Sequence, residues 1–268
     1  MTPEPYTGLA TTFDTAAELY ERARPGYPQR LFADLAASAG LEGAGARVLE
    51  IGAGTGKATR GLLGRGWRVV ALEPGPELAA VAGRVLAGLG DVEIVVAPFE
   101  RWEAGDLARF DLVFAATSWH WLDPEVAYRR AAELLRSGGH LAIVATEHVM
   151  PPDGDDFFRQ VEAAYDKVGM GDGLGGPAPP QAIEAPDVAA IGSSGFFAPP
   201  IVHRYVWGQE YTAEEYLGVL STYSGHIAAS AQQRETLFTR IRGMIAARPS
   251  ATVCKHYLNT LQIARRLD

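Results

Sequence analysis

The sequence is short of several features that would each mark a class of protein. A single cysteine, Cys254, stands among 268 residues, so no disulfide can form within the chain. Positive charge is scarce as well: 24 Lys and Arg against 32 Asp and Glu leave a formal charge of -8. A phosphate backbone is bound by clustered cations that displace counterions, so nucleic acid is not expected as a partner. No apolar run approaches the roughly 20 residues of a membrane-spanning helix. The first residues carry neither a basic stretch nor a long apolar core, and export is not expected. His148, His203, His226 and His256 show no metal-ligand spacing, so no metal is expected. Repeats, charge blocks and low-complexity tracts are missing too. A cytoplasmic protein with no membrane or nucleic-acid partner is the expectation, and Cys254 is expected to be a buried bystander.

What the chain does have is a hydrophobic content of 47%, enough for one large core or two intimate ones. Between residues 46 and 145, short apolar runs alternate with helical patterns, the signature of a parallel sheet covered on both faces. The runs are 47–51, 68–72, 92–96, 111–115 and 140–145. Leu78, Val81, Val85 and Leu89 recur at helical spacing after Pro76, which suits a first helical turn. The segment after Pro124 repeats the pattern and stops at Gly138 and Gly139. Helices are also predicted over 14–23 and 28–39, lying over one end of the sheet. Past residue 147 the rhythm changes. A helix is predicted over 155–168, a Gly/Pro-rich loop over 169–180, a strand over 200–207, helices over 213–220 and 231–247, and a final strand over 252–261. The loop is expected to act as a mobile lid. The expected architecture is a doubly wound α/β protein with a Rossmann-like, mostly parallel seven-stranded sheet, an antiparallel last strand and a helical cap. The chain divides into a cap (1–40), a ligand-binding core (41–147) and a substrate-side half (148–268).

The first strand runs out into Glu50, Ile51, Gly52, Ala53, Gly54, Thr55 and Gly56. Glycines at a strand-to-helix turn let the chain bend sharply and let a ligand approach the backbone at the crevice where open α/β sheets bind. A dinucleotide fingerprint needs glycine at positions one, three and six, and Lys57 occupies the sixth. Glu50, two residues before Gly52, would repel a pyrophosphate and suits a cationic ligand. Glu73 closes the second strand, beside Pro74. An acidic side chain there can accept both hydroxyls of a ribose.

Four segments together resemble the successive motifs of class I S-adenosylmethionine-dependent methyltransferases: residues 50–56, 72–74, 110–115 and 134–139. Phe13, Asp14, Tyr20, Arg24 to Pro28, and Trp119-His120-Trp121 resemble the small-molecule branch that includes trans-aconitate methyltransferase. The resemblance covers residues 13 to about 145. It implies S-adenosylmethionine as cofactor, with Glu50 and Gly52, Ala53, Gly54, Thr55 and Gly56 at the methionine portion, Glu73 and Pro74 at the ribose, and Phe99 near the adenine. In the family an acidic residue commonly ends the third strand; here Pro98 stands there, leaving the Phe99 backbone and the Glu100 side chain as candidate adenine partners. The resemblance also implies that Tyr20 and Arg24 fold over the cofactor, Arg24 facing a carboxylate of cofactor or substrate. Ala116 and Thr117 end the fourth strand on the same side.

Beyond them, Trp119, His120 and Trp121 stand at the carboxyl end of a central strand, where the fold class places its chemistry. Trp119 and Trp121 are candidates for the wall of a substrate pocket, since aromatic faces attract sulfonium as they do ammonium. The alternative reading makes both of them plugs of the core edge. His120 is the candidate catalytic residue, orienting the acceptor or taking its proton. Tyr223 is a further substrate candidate. The function expected is methyl transfer to a small carboxylate, hydroxyl or amine. The rivals are a nucleoside-binding regulatory protein of the same fold and an NAD(P)-dependent reductase.

Overall fold

The computed structural model describes residues 16–105, 109–171, 173 and 175–268. Phe13, Asp14 and the expected start of the first helix lie outside the described residues. The chain opens with α1 (Ala17–Ala23) and α2 (Gln29–Ala39), then alternates β1 (Arg47–Ile51), α3 (Thr59–Leu63), β2 (Arg68–Leu72), α4 (Pro76–Leu86) and β3 (Val92–Val95). β4 (Phe110–Ala116), a 3-10 turn at Trp119–Trp121, α5 (Pro124–Leu134) and β5 (Leu135–Val149) follow. Then come α6 (Phe157–Gln160), α7 (Glu162–Lys167), a 3-10 turn at Pro180–Ala182, α8 (Val188–Ser193), β6 (Ile201–Thr212), α9 (Ala213–Leu220), α10 (Ser224–Ala228), α11 (Ala231–Ala246) and β7 (Thr252–Arg265).

The strands form one seven-stranded sheet in the order β3-β2-β1-β4-β5-β7-β6. β3, β2, β1, β4 and β5 are parallel, β7 is antiparallel to β5, and β6 is antiparallel to β7. This is the Rossmann-like sheet that the sequence pattern predicts. Alternate strand residues feed two cores. Val48, Leu112, Phe114 and Val144 pack with Leu31, Phe32 and Leu35 of α2 on one face. Leu49, Ile51, Val113 and Ile143 pack with Ala127 and Ala131 of α5 on the other. Buried apolar side chains of this kind contribute ~1.5 to 3 kcal/mol each relative to exposure.

A third apolar cluster lies beyond the carboxyl ends of the strands. Phe157, Phe158, Tyr216, Leu217, Leu237, Ile241, Val253 and Tyr257 build it from α6, α9, α11 and the start of β7. The substrate-side half thus has its own core above the ligand-binding edge of the sheet. Several departures from the predicted elements belong here. The helix expected over 155–168 is two short helices meeting at Val161, α8 and α10 have no counterpart in the prediction, and β6 and β7 run on to Thr212 and Arg265. α4 ends at Leu86, leaving Leu89 exposed, and β5 begins at Leu135, so Gly138 and Gly139 lie inside the strand and do not end α5.

Candidate active site

β1 ends at Ile51, and the next residues turn back under β2: the Gly52 and Ala53 N–H groups both donate to the Leu72 carbonyl, at 2.8 and 3.0 Å. Gly52 takes φ +68°, and a Cβ there would meet the Ser118 Cβ at 2.5 Å. Glycine is therefore required on both conformational and steric grounds. Gly54 also has positive φ, but a Cβ on it would meet nothing within 4 Å, so open space faces the loop at this point.

Glu50 is 1% exposed and its Oε2 has no hydrogen-bond partner. Burial, reinforced by the charge of Glu73, pushes its carboxyl up to about 8. A buried acceptor without a donor costs about 1 to 3 kcal/mol. A cationic donor brought in by a ligand offsets that cost. Glu73 is different. Its two oxygens accept from the Gly54 N–H at 2.7 Å and the Gly75 N–H at 2.8 Å, which fixes the carboxylate at the end of β2.

A cavity of about 380 Å³ spreads from this loop. Tyr20, Arg24, Glu50, Gly52, Ala53, Gly54, Thr55, Ala116, Thr117 and Tyr223 line it, joined by Thr146, Glu147, His148 and Lys255. A smaller one, of about 210 Å³, contains Glu73, Pro74, Leu78, His120 and Trp121, and shares Tyr20, Arg24, Gly52, Gly54 and Thr117 with the first. The shared residues make the two a single bent groove across the glycine loop. Thr117 joins them with φ +59°, strain of order 1 to 3 kcal/mol for a non-glycine residue. Its hydroxyl lies 3.0 Å from the Tyr27 hydroxyl and 3.2 Å from that of Thr146, and Asn259 Nδ2 donates to Thr146 at 2.7 Å.

The N-terminal segment is fastened over this groove from two sides. Glu21 of α1 accepts from the Thr55 hydroxyl at 2.6 Å and pairs with Arg60 at 2.5 Å, and its carbonyl accepts from Lys57 Nζ at 2.7 Å. Those hydrogen bonds and ion pairs hold the Glu21 carboxyl below its ordinary range against the opposing effect of burial. Arg24 Nε donates to the Thr222 hydroxyl at 2.7 Å, and its guanidinium lies 4.2 Å from the centre of the Tyr223 ring. Arg24 therefore joins the cap to the substrate-side half.

Three expected site regions take other positions. Trp119 is 5% exposed and packs on Tyr128 at 5.1 Å within the core, so of the two readings it fills the structural one. Its neighbours on the 3-10 turn point the other way: His120 and Trp121 line the end of the groove that carries Glu73 and Pro74, away from the end lined by His148 and Lys255. Partial burial lowers His120 below the usual histidine range despite the nearby Asp187 carboxylate. Phe99 is buried in the core, with its carbonyl accepting from Arg130 Nε at 2.8 Å. Pro98 and Glu100 flank it half-buried, and none of the three lines the groove described above. Cys254 is half-buried, and burial raises its thiol.

The residues not anticipated are Glu21, Lys57, Thr146, Glu147, His148 and Lys255. Thr146 to His148 end the fifth strand, on the edge where the fold class binds ligands, and that position alone was a signal. Lys255 stands near the start of β7, whose other cation, Arg265, lies at the far end of the strand. Among the described residues, no group of three or more His, Cys, Asp or Glu is arranged to hold a metal, and no helix is long and apolar enough to cross a membrane.

A parallel sheet of this order with a glycine loop after β1 and an acidic residue ending β2 defines a nucleoside-binding α/β protein. A methyltransferase domain model matches residues 49–143. An uncharacterized methyltransferase of Mycobacterium tuberculosis H37Rv is 30% identical over 251 residues, spanning 90% of this chain and 88% of that one. The chain belongs to this methyltransferase family. Among solved structures, a provisionally assigned type II methyltransferase from Anaeromyxobacter dehalogenans aligns with TM-score 0.58 and 23% identity over 90% of this chain and 97% of that one. A Geobacter sulfurreducens methyltransferase in complex with S-adenosyl-L-homocysteine gives 0.52 and 15%, over 95% and 98%. At these identities the structures are similar in fold.

Proposed function

We propose that the protein transfers a methyl group from S-adenosylmethionine to a small acceptor. The observation that carries this reading is Glu50: a buried carboxylate with an unpartnered oxygen at the binding edge of the sheet matches a ligand that brings its own cation. The cofactor supplies an electrophilic methyl on a sulfonium, so the protein's work is placement and exclusion of water. Glu50 receives the amino group of the methionine portion, and Gly52, Ala53, Gly54 and Thr55 let that portion approach the backbone, whereas Gly56, expected beside them, does not line the groove and packs against Leu86. Glu73, already oriented by two backbone donors, accepts from the ribose. Pro74, His120 and Trp121 border the nucleoside, and Pro98, Phe99 and Glu100 lie at the next strand end beyond it. Tyr20, Arg24, Ala116 and Thr117 close over the cofactor, with Arg24 offering its remaining N–H groups to a carboxylate. The same placement argues against NAD, because Glu50 would face the pyrophosphate. The expected trans-aconitate-like branch stays a narrower proposal, resting on the segment around Arg24 to Pro28.

The test is incubation with methyl-labelled S-adenosylmethionine and panels of small carboxylates, phenols and amines. Label transferred to an acceptor, with S-adenosylhomocysteine formed in equal amount, supports the reading. Bound cofactor with no transfer to any panel member would favour the regulatory alternative.

A further inference from the structure

Behind the groove, a chamber of about 750 Å³ opens at Glu147, His148, Tyr223 and Lys255, which line both spaces. Its inner wall is mostly apolar and aromatic, from Phe158, Val161, Tyr165, Met170, Tyr216 and Leu220. The described residues of the loop expected to be a lid cover one side, Gly175 to Pro179, and the Met150 N–H donates to the Ala178 carbonyl at 2.9 Å. Lys255 is 2% exposed. Its ammonium sits 5.4 to 5.7 Å from the ring centres of Tyr257, Tyr223 and Phe158. Among the described residues it has no carboxylate or carbonyl partner. A buried lysine without an anion is costly and is seldom left so without use.

The groups facing Lys255 sharpen the case. Burial, with the charge of Arg24 added to it, pushes its amine down to about 7. His148 and His226, both driven neutral by burial and by Lys255 itself, add no negative charge. Tyr165 is occupied with His226 at 3.0 Å. Glu147 stands at the mouth, and burial raises its carboxyl toward the neutral form. Glu162 also lines the chamber, and its charge acts on Tyr165 and Tyr216. The mouth of the chamber, where it meets the groove, therefore brings together Lys255, the charge of Arg24 and Glu147, and the wall behind it is largely apolar and aromatic, with Glu162 and His226 as its polar members.

Resting on the cofactor reading above, we infer that the methyl acceptor is an acidic oxygen, a carboxylate or a phenol, carried on an apolar body, with Lys255 holding the oxygen at the junction and the aromatic chamber holding the body. The acceptor enters as the oxyanion, a phenol having released its proton to solvent. An oxygen lone pair forms the bond to the methyl carbon as the carbon-sulfur bond breaks. The sulfonium becomes a neutral thioether and the oxyanion a neutral ester or ether, so charge balances without an enzymic base. The methylated oxygen no longer attracts Lys255, which favours its release. A cationic amine would meet Lys255 and Arg24 at the mouth and be repelled.

The experiment is calorimetric titration of the full chain, saturated with S-adenosylhomocysteine, using four probes of similar shape: 3-phenylpropanoate, 4-propylphenol, 3-phenylpropan-1-ol and 3-phenylpropylamine. The expected result is that the carboxylate or the phenol binds about tenfold or more tighter than the alcohol, as a charge-assisted bond predicts, with the amine weakest. Which of the two acidic probes leads identifies the oxygen source. In Lys255→Met the preference over the alcohol should vanish while S-adenosylhomocysteine binds as before. Equal binding of alcohol and acid, preference for the amine, or failure of all four to bind the loaded wild type would overturn the inference. So would survival of the preference in Lys255→Met, or loss of S-adenosylhomocysteine binding there, which would give Lys255 to the cofactor. Should the variant fail to fold, the wild-type ranking still decides. Absence of S-adenosylhomocysteine binding by the wild type would instead bring down the cofactor reading, and the ranking would then be read on the free protein.

Discussion

Glu50 is held in a state that suits its ligand better than it suits the free protein. Its folded carboxyl titrates near 8 against an ordinary 4.5. The folded chain therefore binds more protons than the unfolded chain between those values, and stability falls as pH rises through that window. Glu50→Gln removes the slope. The variant should gain stability over the ligand-free wild type, by about 1 to 3 kcal/mol at pH 8 and by less at pH 5, in chemical denaturation. The same variant should bind S-adenosylhomocysteine about 10- to 100-fold more weakly. A variant less stable than wild type at pH 8 would show that Glu50 has a partner in the free protein. The two glycines separate in the same way. Gly52→Ala should destabilise by more than the roughly 1 to 2 kcal/mol of a left-handed alanine, since its Cβ also meets Ser118 at 2.5 Å. Gly54→Ala should carry only that conformational cost, yet weaken cofactor binding as much or more. Equal stability of the two variants would contradict the packing.

The cofactor end of the site was legible at this scale because local chain order sets it: Glu50, the glycines and Glu73 lie at strand ends that sequence periodicity marks. His148 and Lys255 were not. They meet only because β7 runs antiparallel beside β5, pairing His148 with Tyr257 and Val149 with His256. No local pattern encodes that register. Trp119 and His120 show the converse, since a 3-10 turn sends adjacent residues to different surroundings.

Among the elements, α1 has little to hold it except what it touches. It lies against α4 and α9, and Glu21 gathers Thr55, Lys57 and Arg60 from the glycine loop and the helix after it. Glu21→Ala should free the helix. Amide exchange over residues 17–23 should speed up by about tenfold or more, and cofactor affinity should fall, while the global unfolding midpoint changes little. Exchange at α1 as slow as in the wild type would mean that packing alone secures it. The loop over 169–180 gives a separate reading: acceptor, more than cofactor, should slow its exchange, because its described residues border the chamber. The five parallel strands were legible from their apolar runs. β6 and β7 were read short, because polar residues such as Gln209 and Gln262 continue the ladder where pairing, not hydrophobicity, keeps the strand extended. The short α8 carries too brief a pattern to announce itself.

Across the whole molecule, the sheet supplies an acid, Glu50, and the substrate-side half a base, Lys255, to one cavity, with Lys255 standing where that cavity opens into the chamber. That polarity fits a cofactor entering with its cations toward Glu50 and an acceptor entering with its anion toward Lys255. The most direct measurement is calorimetric titration of the wild-type protein with S-adenosylhomocysteine and with NAD, each at pH 6, 7 and 8 in two buffers of different ionisation enthalpy. The account predicts micromolar binding of S-adenosylhomocysteine that tightens from pH 6 toward pH 8 and releases protons, because Glu50 must ionise to receive the amino group, and no binding of NAD. Tighter binding of NAD, or S-adenosylhomocysteine binding without proton release and with flat pH dependence, would contradict it.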